Sequence, residues 1–322
     1  MTYFFAAMAE GLGDLLITLP ALRSVIASGV PTVLVLRSPK QEGVAELIDG
    51  LAGTVTEPEF LAMKLKAEDR FINLRNHPFQ LTNFYGSDEF FTKFGRINII
   101  DICEIISKDL IERDLGIEAN CKNFVPFPFV PNQQASGKVL LVPGSAGGYK
   151  CWYTDKWLEL ISLLSERGFS CAVLGQPERS NEAKELIAKG VQWLPTPTIA
   201  DAVSAVSSGL GMITVDTGLM HLAVQQLCPT VALHQKRSVY ARTEQHCRPI
   251  FSPDCSSDCQ NKTFVPPNLD VVFREYEYMQ FLPCFANQGE RCMEQIKPAT
   301  VFEQFVGLLG SVGVNQLSKV NN

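Results

Sequence analysis

Four short stretches of this 322-residue chain place phosphate-binding chemistry where a strand gives way to a helix. The most informative begins with Gly209–Val215 (GLGMITV), apolar and partly β-branched, which reads as a buried parallel strand. It runs into Asp216-Thr217-Gly218 and then into the amphipathic run Leu219–Leu227, with His221 in its first turn. An acid, a hydroxyl and a glycine just before a helix leave backbone N–H groups at its positive end, where anions bind. Three further loops have the same setting: Glu10-Gly11-Leu12-Gly13-Asp14, the run Pro143–Lys150 (PGSAGGYK), and Gly175-Gln176-Pro177-Glu178. In open parallel sheets ligands sit beyond the carboxyl ends of strands, and all four loops fall there.

Together these loops hold a donor set suited to a diphosphate. Ser145, Lys150, Thr217, the Gly218 N–H and His221 supply hydroxyl, ammonium, backbone donor and imidazole, with Gly13, Gly175 and Asp216 in the same loops. Asp14 adds one carboxylate at a helix start, able to take a proton from an attacking hydroxyl while the donors hold a leaving group. Each residue also has a plainer reading. Asp14 could only complement a helix dipole, Asp216 could order its own loop, His221 could be a core histidine, and Lys150 a solvated charge. Trp152 and Trp157 read as packing anchors. Better-known motifs fail at specific positions. Gly11-x-Gly13 lacks the third glycine of a dinucleotide fingerprint, because Leu16 stands there. Tyr149 and Cys151 flank Lys150 where a P-loop needs glycine and a hydroxyl residue, and Pro143 stands where a nucleophile elbow at Ser145 needs glycine.

The elements that must position these loops alternate between strand-like and helix-like runs. In the first half Tyr3–Ala9, Thr32–Leu36 and Arg70–Leu74 read as strands, and Asp14–Ala27, Gln41–Ile48 and Asp101–Leu115 as helices. The aromatic stretch His77–Gly95 reads as loops and short helix. Phe124–Gly137, with three prolines, reads as a linker. Alternation then restarts, with strands at Val139–Val142, Cys171–Leu174, Val191–Leu194, Gly211–Val215 and Thr230–Leu233. Helices are expected between them and at Ala299–Leu309. Strands joined by single helices pair in parallel, which predicts two doubly wound α/β halves, residues 1–135 and 136–322.

Composition sets the outer bounds. A hydrophobic fraction of 46% with 19% charged residues fits a folded soluble protein. A net charge of −6 with no basic block argues against nucleic acid and against a polybasic membrane patch. No apolar run reaches the length of a transmembrane span. The N-terminal MTYFFAAMAE lacks a basic n-region and reads as a strand, not a signal peptide. A cytoplasmic location is therefore expected. Six lone cysteines (Cys103, Cys121, Cys151, Cys171, Cys228, Cys247) read as small core hydrophobes.

Three stretches together resemble glycosyltransferase family 9, the heptosyltransferase-like enzymes. They are GLGDLLITLPALRSV (Gly11–Val25), VPGSAGGYKCWYTDKWLELISLL (Val142–Leu164) and VDTGLMHLAVQQLCPTVAL (Val215–Leu233). The resemblance implies a GT-B architecture: two Rossmann-like domains facing across a cleft, acceptor-side over 1–135 and nucleotide-sugar-binding over 136–322, with a closing helix that often returns to the first. It also implies inverting sugar transfer with no cofactor for catalysis, from a nucleotide-diphosphate sugar, often ADP-heptose, to a glycan or protein hydroxyl in cell-surface glycan biosynthesis. By this match Asp14 is the general base, Lys150 the phosphate-binding lysine, and Thr217, Gly218 and His221 the diphosphate loop. Two departures stand out. His234-Gln235-Lys236-Arg237 replaces the family's Gly-Pro-Thr-like turn after Leu233. Residues 1–135 hold 12 Lys and Arg against 17 acids, a net −5, so no basic acceptor face is evident.

Between residues 252 and 297 the alternation stops, and Cys255, Cys259, Cys284 and Cys292 fall in that stretch. Four thiolates in a loop-rich lobe could hold a structural iron or zinc, as in some relatives similar to the transferases of autotransporter proteins; four unligated cysteines are the other reading. Two other functions remain open at this point: a nucleotide-sugar epimerase of the same architecture, and a non-catalytic glycan- or nucleotide-binding subunit.

Overall fold

The apolar runs bounded by turn residues become strands in both halves, and among the described residues every strand pair is parallel. The structure is a computed structural model and describes residues 1–83, 85, 88–145, 150–236, 238–253 and 292–313. The chain divides into two compact units, Met1–Asn83 with Ile97–Pro128, and Phe84–Arg96 with Phe129–Asn322.

In the first unit β1 (Tyr3–Ala6) is followed by α1 (Leu12–Ala27) and β2 (Thr32–Leu36). A 3-10 turn, Pro39–Gln41, and a short α2 (Glu42–Ala45) stand where one longer helix is expected. β3 (Gly53–Thr56), α3 (Glu57–Ala62), β4 (Arg70–Asn73) and α4 (Pro78–Thr82) complete the sheet, ordered β3-β2-β1-β4. Phe4, Ala6, Val35 and Phe60 form one packed face, with Phe60 5.1 Å from Phe4 and 4.3 Å from Phe71 between ring centroids. Leu15, Leu16, Leu19 and Leu22 bury α1. α5 (Asp88–Phe94) falls in the second unit. α6 (Ile99–Ser107) starts at Asn98, whose side-chain oxygen accepts the Ile100 and Asp101 N–H groups, and it runs on into a π-helical turn, Lys108–Arg113.

The second unit carries β5 (Lys138–Val142), α7 (Thr154–Glu166), β6 (Ser170–Leu174), α8 (Asn181–Ala188) and β7 (Gln192–Leu194). It continues with α9 (Ile199–Ser208), β8 (Gly211–Val215), α10 (Gly218–Gln225), β9 (Thr230–His234) and β10 (Cys247–Phe251). The sheet order β10-β9-β8-β5-β6-β7, taken from β7, is the Rossmann order 3-2-1-4-5-6, and β3-β2-β1-β4 is its first four strands. Both halves are thus doubly wound α/β, as predicted. One face of the second sheet sets Val139, Leu141, Ile213, Val215, Val231 and Leu233 against Trp157, Leu160 and Leu164 of α7. Trp152 and Trp157 are fully buried and meet edge to face at 5.3 Å, the anchoring role expected of them. On the other face Met220 and Val224 of α10 cover Ala232 and Cys247.

The closing helix, Pro298–Val312, packs in this second core. Val301, Phe305 and Leu308 lie at helical spacing on one stripe, and the stripe needs a flat groove. Gly211 supplies it: a Cβ there would lie 2.8 Å from the Phe305 ring and 2.9 Å from the Pro229 carbonyl. Gly211→Ala should therefore destabilise the protein by about 1–3 kcal/mol in urea unfolding. Gly310→Ala, exposed on the same helix with nothing near its Cβ, should be neutral or stabilise by up to about 1 kcal/mol. Equal midpoints for the two variants would show that this helix does not seat on β8.

Candidate functional site

The strand order of the second sheet reverses between β5 and β8, and the loops leaving these neighbours are tied together. The Ser145 hydroxyl donates to the Asp216 carbonyl at 2.8 Å, so its single proton is committed to joining the two loops. A Cβ on Gly144 would lie 2.4 Å from the Ser180 Cβ, so the residue capping α8 admits only glycine at that point. Gly175, leaving β6 with φ +113°, adopts a backbone that suits glycine, and its carbonyl accepts the Trp193 indole N–H at 3.2 Å. Thr217 caps α10 without turning its hydroxyl back onto the helix, and both it and Gly218 are half-buried. The first-turn N–H groups of α10 thus start beside these loops.

Lys150 and Asp216 form the charged centre. The Lys150 ammonium lies 3.1 Å from Asp216 Oδ2 and 5.3 Å from the Tyr240 ring centroid, with 22% of the lysine side chain exposed against 9% of the aspartate. Burial pushes the Asp216 carboxyl up, but the groups around it, Lys150 foremost, together outweigh this, and its pKa falls below the ordinary aspartate value. Lys150 is neither a solvated surface charge nor isolated, and the Asp216 side chain faces it.

His221 is buried, and its Nδ1 lies 3.3 Å from Nη1 of the fully buried Arg242. Arg242 in turn donates through Nε and Nη2 to one oxygen of Glu244, at 2.8 and 2.6 Å. Burial and the Arg242 charge push the His221 pKa down to about 3. His234, at the end of β9, is fully buried and its pKa is pushed down by burial to about 4. The His234 ring centroid is 5.6 Å from that of Phe251, whose ring also lies 4.1 Å from the Arg96 guanidinium. Arg96 also donates to the Lys236 carbonyl at 3.0 Å, so the sequence that replaces a Gly-Pro-Thr-like turn is held by a residue from upstream of the linker.

In the first unit Asp14 sits in the opening turn of α1, and its Oδ2 accepts the Gly11 N–H at 2.9 Å. A Cβ on Gly11 would lie 2.5 Å from that oxygen, so this glycine is required by the carboxylate's position. Gly13 is in the same half-buried turn. Beside this loop Arg75 pairs with Glu10 at 3.1 Å and approaches Glu57 at 4.0 Å, and buried Arg37 also pairs with Glu57. Ser145, Lys150, Asp216, Thr217, Gly218 and His221 are therefore gathered in the second unit, while Gly13 and Asp14 belong to the first.

Sequence reading missed Arg242, Glu244, His234 and the Arg37–Glu57–Arg75 group. The only local signal for the last two is a charged or polar residue at or just past a strand end, as with His234, Arg37 and Arg75; Arg242 and Glu244 sit in a loop with no pattern. Cys255, Cys259 and Cys284 lie outside the described residues, and Cys292 is half-buried at the start of a short 3-10 turn. Among the described residues no group of three or more His, Cys, Asp or Glu could hold a metal ion. Of the six lone cysteines five are buried and Cys171 is half-buried.

Holding His221 and His234 neutral links stability to pH. Both rings have an ordinary value of 6.5, so below it the unfolded chain takes up protons that the folded chain refuses. Stability should be level above that value and fall as pH drops toward the folded values, by up to about 1.4 kcal/mol per pH unit for each histidine. His234→Gln should flatten the fall measured by urea unfolding between about pH 6.5 and 4.5. A slope identical to the parent's would remove the assignment of His234 as a neutral buried ring.

The family model for glycosyltransferase family 9 (heptosyltransferase) matches residues 121–243, a span that includes Ser145, Lys150, Asp216, His221 and Arg242. Among curated proteins none matches the sequence. A glycosyl transferase family 9 protein from Veillonella parvula is 15% identical with a TM-score of 0.61, covering 96% of this chain and 97% of its own. Heptosyltransferase WaaC of E. coli, solved with ADP-2-deoxy-2-fluoro heptose, is 16% identical with a TM-score of 0.56, covering 78% and 93%. The iron-containing dodecameric glycosyltransferase TibC of enterotoxigenic E. coli is 16% identical with a TM-score of 0.64, covering 97% and 77%. These likenesses agree with the topology of both sheets. Residues 121–243 thus match the glycosyltransferase family 9 model, and the chain is a glycosyltransferase built from two Rossmann-like units of the GT-B kind.

Proposed function

We propose that this glycosyltransferase moves a heptose from an ADP-linked donor to a hydroxyl of a glycan or protein. Residues 1–135 serve the acceptor and residues 136–322 the nucleotide sugar. The observation that carries this reading is the Lys150–Asp216 pair at the point where strand order reverses, beside the start of α10. The solved ADP-heptose analogue complex of WaaC, on a similar fold, supports the choice of donor.

In a single displacement the acceptor oxygen bonds to the anomeric carbon as the bond from that carbon to the diphosphate oxygen breaks. The electron pair leaves with the nucleoside diphosphate. Asp14 takes the acceptor's proton; Lys150, the N–H groups of Thr217 and Gly218, and His221 stabilise the charge that develops on the diphosphate. Asp216 holds the ammonium in place, and Ser145 and Gly175 shape the loops around it. One base and a stabilised leaving group suffice for inversion, so no carboxylate pair is required.

The four cysteines of the tail complete the proposal as a structural iron or zinc site. Support comes from their number in one stretch and from the iron-containing TibC on a similar fold. The Ser252 hydroxyl donates to the Cys292 carbonyl at 2.7 Å, so residues 252 and 292, on either side of that stretch, lie together. Elemental analysis of the purified protein should find about one iron or zinc per chain, lost from a Cys255→Ser, Cys259→Ser variant.

Asp14→Asn should lower transfer by about 10²–10⁴-fold while ADP binds as before. Unchanged turnover would sink the assignment, and conversion of donor without acceptor would favour an epimerase. Lys150→Ala should weaken ADP by about 10–100-fold in calorimetry. Because that change also strips Asp216 of its counter-charge, Lys150→Arg serves as the control that keeps the pair.

A further inference from the structure

We propose that Arg242 is a positioning residue: clamped by Glu244, it fixes His221 as the tautomer protonated on Nε2, so the ring offers a neutral N–H donor on the edge turned away from the guanidinium. The functional half of this inference rests on reading the start of α10 as the diphosphate site; the structural half stands without it.

The argument is one of donor and acceptor inventory. A guanidinium carries five N–H donors and no acceptor. An approach of 3.3 Å between Arg242 Nη1 and His221 Nδ1 is favourable only if Nδ1 keeps its lone pair. A neutral imidazole with a bare Nδ1 carries its proton on Nε2. The clamp makes this geometry persistent. Two of the guanidinium's three nitrogens donate to a single Glu244 oxygen, at 2.8 and 2.6 Å, which leaves Nη1 as the nitrogen at the ring. The arginine side chain is fully buried, so water does not compete for that bond. A doubly protonated ring would set an N–H against an N–H and a second cation beside the first. The charges near the ring are balanced without it: Lys150 by Asp216, Arg242 by Glu244.

A donor of this kind suits a diphosphate. An imidazolium would add affinity but would vary with pH; the Nδ1–H tautomer would put its proton toward Arg242 and a lone pair on the other edge, which repels phosphate oxygen. Arg242 thus acts on the ligand through His221, without touching it.

The test is nitrogen-15 NMR of the imidazole rings in the full-length protein. The chain has only four histidines, so His221→Gln assigns the signal directly. The parent protein at neutral pH should show His221 neutral with its proton on Nε2. Arg242→Met should release the ring into a mixture that includes the Nδ1–H form, and Arg242→Lys, which restores a donor, should return it. Calorimetry with ADP should show about tenfold weaker binding for Arg242→Met and near-parental binding for Arg242→Lys. A charged or Nδ1-protonated His221 in the parent, or an Arg242→Met ring unchanged from it, overturns the proposal. The parent spectrum decides the tautomer alone, so a variant that folds poorly does not blunt the test. If the tautomer responds but ADP binding does not, the lock is real and it is the diphosphate reading of this helix start that fails.

Discussion

A carboxylate buried at the carboxyl end of β8 is the constraint around which the second unit is arranged. Taking an ion out of water costs several kcal/mol unless a counter-charge and hydrogen bonds replace the solvent, and Lys150 supplies the charge to Asp216 from a loop after β5. The pairing fixes where the lysine's ammonium can be. It also explains the neutrality of both buried imidazoles: the site already holds its balancing cation, and burial leaves no gain from a second. Arg242 enters the same region only with Glu244 attached. The field left at the loop is therefore that of a partly exposed ammonium and the positive end of α10.

Topology explains why two different functional groups arise from one plan. Both sheets run 3-2-1-4 from their edge, so in each the loop after the first strand emerges where order reverses. In the first unit that loop carries Gly11 and Asp14; in the second it carries Gly144, Ser145 and Lys150. The glycines in each are dictated by a neighbour within 3 Å of a would-be Cβ, the Asp14 carboxylate in one and Ser180 in the other. An acid and a cation thus follow the topologically equivalent strands β1 and β5, and a glycine in each loop is set by one local contact. The proposed division into proton acceptor and leaving-group stabiliser follows from those chemistries.

The central strands were legible because they are buried on both faces and flanked by helices, which writes them as continuous apolar runs. Thr32–Leu36 and Gly211–Val215 have the bounds their sequence predicts. β3 and β10 were not legible: β3 is largely exposed and so lacks an apolar run, and β10 contains Pro249, which only an edge tolerates. The turn residues after β1, β5, β6 and β8 were visible for a local reason, since a strand end, a glycine and a helix start lie within a few positions of one another.

What the sequence by itself determined is therefore the alternation of elements, the two doubly wound halves, and the loops that carry Asp14, Lys150 and His221. All of these follow from periodicity and near-neighbour steric rules. Only the tertiary structure decided that Lys150 is paired with Asp216, that Ser145 commits its proton to the same loop, that Arg242 and Glu244 reach His221, and that Arg96 packs on Phe251. Those choices depend on which distant side chains share a dry volume. Charge burial, unlike periodicity, leaves no mark on the residues adjacent in the chain.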